Sequence, residues 1–164
     1  YEESIGFCYG TFVRDKDAVG ASMMVVEMAA YYKKQGKSLL DVLNDIYKEF
    51  GYYNERQVSL ELEGIEGQQR IGRMMEDFRS NPIKEIGEIS LEKIIDFKDG
   101  YLDFPKQNCL KYYLNDGSWY ALRPSGTEPK IKLYIYTIGK TEKESIDKLD
   151  LIEKVCREKM NSVK

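Results

Sequence analysis

The sequence predicts an α+β fold, in which a C-terminal domain with one sheet and helices on one face follows a helical remnant of an α/β domain. Apolar residues recur at helical spacing twice in the first fifty residues, with no strand pattern between them. From residue 52 onward, alternating strand patterns lie between two further helical patterns, which predicts the order β-α-β-β-β-α. With 164 residues, 42% of them hydrophobic, the chain is long enough to bury a core.

Two helices are predicted in the N-terminal part. Asp17 is placed to cap the first helix, and Ser38 with Asp41 resembles a capping box for a second helix that stops at Gly51. The first helix is expected to bury one face, which carries Val19, Met23, Val26 and Ala30. Because two short helices are too small to be stable alone, residues 1–51 are expected to be the end of a larger domain.

Residues 52–164 are expected to form a domain of their own. Alternation around residues 58–62 indicates a strand, and a helix is predicted from Glu66 to Arg79. The best candidates for further strands are residues 94–97, 110–114, 119–122 and 131–136. The turn at Asp116-Gly117 predicts a hairpin. Thr141 begins the last helix, which is expected to turn Ile146, Leu149, Ile152, Cys156 and Met160 inward.

Composition excludes several classes of function. A net charge of -3 offers no general attraction for nucleic acid, and no apolar run approaches the roughly 18 residues that cross a bilayer. The sequence contains no histidine, which removes the commonest general base and metal ligand. We therefore expect a cytoplasmic protein with neither a membrane nor a nucleic acid as partner, and any anion site must be compact.

Residues 123–130, Arg-Pro-Ser-Gly-Thr-Glu-Pro-Lys, have the composition of a phosphate-binding loop between two predicted strands. Arg123 offers a planar fork of donors, Ser125 and Thr127 add hydroxyls, and Gly126 lets a ligand approach the backbone. Arg123, Lys130 and Lys132 against Glu128 give a local charge of +2 in a chain whose total is -3. A plain turn with an exposed arginine is the alternative, because the string lacks the Gly-Lys-Ser/Thr of a nucleotide P-loop.

The same string, followed by Ile-Lys-Leu-Tyr-Ile, resembles the C-terminal phosphate-binding loop of the α-D-phosphohexomutase superfamily, the phosphoglucomutases and phosphomannomutases. The resemblance implies that Arg123, Ser125, Gly126 and Thr127 hold the phosphate of a sugar phosphate. Lys132 falls where some members have an arginine, and is included in the phosphate site.

Two further strings resemble the same family. Glu2-Glu3-Ser4-Ile5-Gly6 is similar to its sugar-binding loop, which implies that Glu2 and Ser4 contact ring hydroxyls. Arg14-Asp15-Lys16-Asp17 is similar to the segment that places a lysine in the active site, which implies that role for Lys16. The resemblance covers the whole chain, with residues 1–51 as the end of the third, sugar-binding domain and residues 52–164 as the C-terminal phosphate-binding domain.

The family's phosphoryl-carrying serine and magnesium loop have no counterpart in this sequence. The acidic clusters Asp41–Asp45 and Glu61–Glu66 are better explained as solvated faces than as a metal site. We therefore assign no catalytic residue and no metal ligand to this chain. The resemblance implies a parent enzyme that uses Mg2+ and a sugar bisphosphate activator, with ligands for the metal in N-terminal domains of the same chain.

Two hypotheses follow. In the first, the chain, which opens on Tyr1 without a methionine, is an inactive fragment of a mutase that interconverts sugar 1-phosphates and 6-phosphates through a phosphoserine enzyme and a bisphosphate intermediate. In the second, it is a stand-alone regulatory module that binds a phosphate ligand. A third hypothesis, RNA binding by the sheet, ranks last because the composition does not provide a basic face. The sequence leaves open which sugar phosphate is bound, whether of glucose, mannose, a pentose or a hexosamine.

Overall fold

The computed structural model describes residues 6–164. The chain divides into two compact units, the first ending at Phe50 and the second comprising Gly51–Lys164. No helix among residues 6–164 is long and apolar enough to span a membrane.

The first unit contains helices α1, Ala18–Lys33, and α2, Leu39–Phe50. The Asp17 carboxylate accepts a hydrogen bond of 3.0 Å from the backbone amide of Gly20, which caps α1. Ser38 and Asp41 form the predicted capping box, in which Asp41 accepts from the Ser38 amide at 2.8 Å and Ser38 Oγ accepts from the Asp41 amide at 3.2 Å. Both predicted helices and both caps are confirmed.

The expectation that α1 buries one face is wrong for this chain. No residue of α1 or α2 is buried, and Val19 and Val26 are 83% and 68% exposed. The apolar spacing predicted the helix correctly, but a side chain is buried only when another layer covers it, and the described residues before Gly51 form no strand.

The second unit is an antiparallel six-stranded sheet with two helices. The strands are β1, Tyr52–Glu61; β2, Glu85–Ile86; β3, Ile89–Asp96; β4, Leu110–Leu114; β5, Trp119–Pro124; and β6, Lys130–Gly139. Helix α3 comprises Gly64–Ser80 and helix α4 comprises Glu142–Ser162. The order across the sheet is β1-β6-β5-β4-β3-β2. The α+β class is confirmed. Five strands lie between the two helices, where the predicted order has three and four candidate segments were named.

Both helices lie on one face of this sheet. Strand β6 alternates strictly, with Ile131, Leu133 and Ile135 buried toward the helices and the residues between them half-buried on the other face. Tyr112 of β4 is buried on the same side and donates a hydrogen bond of 2.9 Å to the carbonyl of Phe78 in α3. The open face of the sheet therefore carries the alternate residues of each strand.

Strand β1 begins at Tyr52, six residues before the predicted strand at residues 58–62. Its first half was not predicted because the side chains there that point toward α4 are polar. Asn54 donates to Ser145 Oγ at 2.5 Å, and Arg56 contacts Asp150 at 2.8 Å and Glu153 at 2.6 Å. A hydrophobic alternation pattern cannot detect inward residues whose partners are polar.

The same contact corrects the predicted inward face of α4. Ser145, rather than Ile146, is buried with Leu149, Ile152, Cys156 and Met160, whereas Ile146 is 37% exposed. Thr137 Oγ1 donates to the Ser145 carbonyl at 2.8 Å, so the first turn of α4 is joined to the sheet by hydrogen bonds instead of an apolar contact.

Neither the start of β3 nor any part of β2 was predicted from the sequence. Strand β2 has only two residues, and it turns into β3 at Gly87, whose φ is +62°. The pairing of β3 with β4 shifts register between Leu91 and Lys93, which interrupts the alternation on which strand prediction depends. The predicted hairpin at Asp116-Gly117 is confirmed by the antiparallel pairing of β4 with β5 and by a φ of +86° at Gly117.

Candidate functional site

The residues of the predicted phosphate loop lie between two paired strands. Strands β5 and β6 are antiparallel neighbours, and Arg123 stands directly opposite Lys132. The loop that joins them is closed by a hydrogen bond of 2.7 Å from the Ser125 amide to the Lys130 carbonyl. Since Leu122 and Leu133 face the helices, Arg123 and Lys132 both lie on the open face of the sheet.

This pair places two like charges side by side. Cross-strand neighbours of the same sign repel each other and destabilise a sheet. Neither Arg123 nor Lys132 forms an ion pair with any carboxylate among residues 6–164. Arg123 is exposed and Lys132 is half-buried. Two adjacent cations without a protein counterion are the arrangement that a dianionic phosphate would stabilise.

The small polar residues of the loop are also accessible. Ser125 Oγ accepts only a long hydrogen bond, 3.4 Å, from the amide of Thr127. Thr127 is exposed, and a Cβ at Gly126 would meet no atom within 4 Å. The backbone and the hydroxyls on this side of the loop thus face open space.

Lys130, at the other end of the loop, is in a different environment. Its Nζ lies 2.9 Å from a carboxylate oxygen of Glu61 and 3.4 Å from one of Glu128. The hydrogen bond with Glu61 raises the pKa of Lys130, so the ammonium stays charged and paired. The local charge of +2 counted from the sequence is therefore concentrated on Arg123 and Lys132.

Cys109 lies near this site, although the sequence did not predict it there. It directly precedes Leu110, which pairs with Leu122, so it lies near Arg123 on the open face. Burial raises the pKa of the Cys109 thiol, and the nearby charge of Arg123 opposes this only in part. The thiol stays neutral and does not compensate the charge of Arg123. Only the register of the two strands, which the sequence does not reveal, brings these residues together.

The remaining predicted residues belong to the first unit. Glu2 and Ser4 lie outside the described residues. The Asp17 amide donates to the Phe7 carbonyl at 2.8 Å, which folds residues 7–17 back on themselves and brings Lys16 beside Gly6. A Cβ at Gly6 would come within 2.7 Å of Lys16 Cγ. Lys16 Nζ lies 3.4 Å from Asp15, whose pKa is lowered by a hydrogen bond from the Lys16 backbone amide and by the charge of Lys16.

Residues 6–164 contain no group of three or more His, Cys, Asp or Glu side chains placed to hold a metal ion. The three cysteines are free thiols, and Cys8 is exposed.

These features define an α+β domain with an antiparallel sheet backed by two helices and a cationic strand-loop-strand at one end. The family model "Phosphoglucomutase/phosphomannomutase, C-terminal domain" matches residues 61–150, and "Phosphoglucomutase/phosphomannomutase, alpha/beta/alpha domain III" matches residues 1–50. The chain belongs to the phosphoglucomutase/phosphomannomutase family.

Individual relatives agree with this assignment. The chain is 42% identical over 146 residues to a phosphoglucomutase of Staphylococcus aureus MRSA252. This match covers 82% of the chain and 26% of the relative. A phosphoglucomutase of Staphylococcus epidermidis RP62A is 40% identical over 146 residues, with 82% and 27% covered. The chain thus spans about a quarter of the length of these relatives.

A solved structure supports the fold alone. The open form of the exocytosis-sensitive phosphoprotein pp63/parafusin, a phosphoglucomutase from Paramecium, matches with a TM-score of 0.65 and 16% identity, covering 91% of this chain and 28% of that one.

Proposed function

We propose that this chain is the substrate-binding C-terminal portion of a phosphosugar mutase, which interconverts a sugar 1-phosphate and a 6-phosphate through a phosphoserine enzyme and a bisphosphate intermediate. Membership of the phosphoglucomutase/phosphomannomutase family supports the class of reaction. The observation that carries the role of this portion is the pair Arg123 and Lys132, two cations opposite each other without a carboxylate partner among the described residues.

We assign residues 1–51 to the third, sugar-binding domain and residues 52–164 to the phosphate-binding domain. The exposed apolar side chains of α1 support the first assignment, because a helix with Val19, Met23 and Val26 in solvent needs further layers to cover it. Missing N-terminal domains of the same chain would then be its partners, as the relatives' greater length also suggests.

In this proposal the loop binds the phosphate that does not react. Arg123 would make a bidentate contact, Lys132 would add charge, and Ser125, Gly126 and Thr127 would donate from hydroxyls and backbone. Glu2 and Ser4 would contact ring hydroxyls, and Lys16 would add positive charge near the transferred group. Binding energy from the remote phosphate would orient the reacting end of the sugar, which raises the rate of the chemical step.

The described residues supply neither a metal-ligand group nor an identified phosphoryl carrier, so we assign no chemical step to them. Mg2+, the carrier serine and the response to a sugar bisphosphate activator are assigned to the rest of the parent protein. Bound Mg2+ would polarise the transferring phosphoryl group.

The experiment is a comparison of the full-length protein with residues 1–164 alone. Conversion of glucose 1-phosphate to glucose 6-phosphate is followed with a coupled dehydrogenase, in the presence of Mg2+ and glucose 1,6-bisphosphate. We expect turnover by the full-length protein and none by the isolated chain. Turnover by the pure isolated chain would contradict the division of roles, and a full-length protein inactive on glucose, mannose, pentose and hexosamine phosphates would contradict the reaction class and leave a regulatory module as the better hypothesis.

A further inference from the structure

We propose that Lys130 is a positioning residue, which fixes the shape of the phosphate loop through an ion triad with Glu61 and Glu128 and does not itself contact the phosphate. This inference depends on the proposed function of the loop, and it assigns opposite tasks to two lysines only two residues apart.

The triad joins the loop to the neighbouring edge strand. Lys130 is the first residue of β6 and pairs in register with Glu61, the last residue of β1. Its Nζ lies 2.9 Å from Glu61 and 3.4 Å from Glu128. The Lys130 side chain is only 20% exposed, whereas those of Glu61 and Glu128 are 71% and 61% exposed. The Lys130 side chain is thus mostly shielded from solvent, while its ammonium pairs with two exposed carboxylates.

The backbone of Lys130 holds both ends of the loop. Its carbonyl accepts the hydrogen bond from Ser125 at 2.7 Å, and its amide donates to the Glu128 carbonyl at 2.7 Å. The adjacent Pro129 carbonyl accepts from the Leu62 amide at 2.9 Å, a second link to the residues that follow β1. A displacement of Lys130 would therefore shift Ser125, one of the proposed phosphate ligands.

The charges also separate Lys130 from the phosphate site. One ammonium and two carboxylates give the triad a net charge of −1, so it does not attract a phosphate. Arg123 and Lys132 have no such carboxylates among the described residues. Lys130 pairs with Glu61 and Glu128 at the other end of the loop, so it partly neutralises these two carboxylates. This should reduce their repulsion of a phosphate bound by Arg123 and Lys132.

The size of the effect follows from exposure. Ion pairs with exposed carboxylates contribute little, so we expect loss of the triad to weaken phosphate binding by about twofold to fivefold, whereas loss of a direct bidentate ligand weakens it by tenfold or more. The change in phosphate affinity is thus smaller for a positioning residue than for a direct ligand. Substitution of Glu61 should weaken binding if Lys130 is a positioning residue and strengthen it if Lys130 is a direct ligand.

The test uses residues 1–164 with glucose 6-phosphate or inorganic phosphate as the ligand, monitored by NMR titration of loop amides. Lys130→Met and Glu61→Gln should each weaken binding by about twofold to fivefold, their effects should not add, and Lys130→Arg should retain wild-type affinity. If Lys130 were a direct ligand, Glu61→Gln would release it and strengthen binding. Stronger binding by Glu61→Gln, or unchanged binding by Lys130→Met, would overturn the inference.

Two additional measurements separate this inference from the proposed function. Arg123→Met should weaken binding by tenfold or more. A wild-type chain that binds neither ligand, or an Arg123→Met variant that binds normally, would contradict the proposed function itself. Amide hydrogen exchange needs no ligand: Leu62 and Ser125 should exchange faster in Lys130→Met and at the wild-type rate in Lys130→Arg. Unchanged exchange in Lys130→Met would overturn the role of the triad whatever the titration shows.

Discussion

The two faces of the C-terminal sheet differ in how their cationic side chains are paired. On the side of the helices, cations are paired: Arg56 with Asp150 and Glu153 at 2.8 and 2.6 Å, and Arg79 with Asp96 at 2.7 Å. Lys159 of α4 likewise pairs with Asp77 of α3. These contacts join strands to helices or helix to helix, so their role is to hold the layers together.

On the open face, the cations fall into two groups. Lys111 lies 3.8 Å from the centre of the Trp119 ring, and Lys130 is held by two carboxylates. Arg123 and Lys132 have no carboxylate partner among residues 6–164, although each stands next to the other. A folded chain usually pairs or separates such charges. We propose that this unpaired couple is a site for an anion.

The largest difference between the two faces should be in stability. Leu133 and Lys132 are neighbours in β6 that point to opposite sides, and Leu133 is fully buried. Leu133→Ala should lower the free energy of unfolding by about 2–5 kcal/mol, because it leaves a cavity between sheet and helices. Lys132→Ala should change it by less than about 0.5 kcal/mol. Urea denaturation of both variants measures this, and equal losses would show that the open face also carries the fold.

Substitutions on the open face should have the larger effect on activity. In the full-length protein, Arg123→Ala should lower kcat/KM by about ten- to a hundredfold, since a charge-assisted bidentate pair contributes about 1.5–3 kcal/mol. Arg123→Lys should restore activity only in part, because an ammonium keeps the charge and loses the fork.

The matched control is Arg157→Ala, which removes an exposed arginine of α4 paired with Glu153 at 2.6 Å. It should leave kcat/KM unchanged. Steady-state kinetics and the melting temperature of each variant test this prediction. Wild-type kcat/KM in Arg123→Ala, or a loss of activity explained by unfolding, would show that the loop does not bind the phosphate.

A smaller effect is expected at low pH on the helix side. The pKa of Asp77 is lowered by a hydrogen bond from Lys159 and a second one from Asn81. A carboxylate with a depressed pKa stabilises the fold above its unfolded value and loses this contribution as pH falls through the folded one. The unfolding free energy should therefore decline below about pH 4, and Asp77→Asn should reduce the decline by about 1 kcal/mol or less. A variant with the wild-type pH profile between pH 2 and 7 would exclude Asp77 as a contributor.

The same two faces explain how much the sequence could predict. Every helix was predicted, and so were the strands whose inward residues are apolar, such as β4 and β6. The first half of β1 was missed because Asn54 and Arg56 find polar partners on α4, and those partners lie about ninety residues away in sequence. Ser145 was missed for the same reason. Local patterns record the preference of each residue but not its distant partners.

The candidate site shows the same limit. Residues 123–132 could be singled out by composition and by resemblance, because a strand, a loop and a strand are local. The sequence could not show that Lys130 is neutralised by Glu61 while Lys132 is not, because this depends on the pairing of β1 with β6. By composition Lys130 and Lys132 look equivalent, and only the resemblance set Lys132 apart; the difference in their ion pairs appears only in the folded chain.

We propose that Arg123 and Lys132 lack a carboxylate partner among the described residues because they bind a phosphate between them. Lys132→Glu places a carboxylate directly opposite Arg123, and Lys154→Glu makes the same change of charge at an exposed position on α4. Both variants of residues 1–164 are titrated with glucose 6-phosphate and unfolded with urea.

Lys132→Glu should raise the free energy of unfolding by about 0.2–1 kcal/mol, since it replaces repulsion with a cross-strand ion pair, and should weaken phosphate binding by at least about tenfold relative to Lys154→Glu. A gain in stability together with a loss of binding is the result predicted by this account. Equal affinities for glucose 6-phosphate in Lys132→Glu and Lys154→Glu would contradict it.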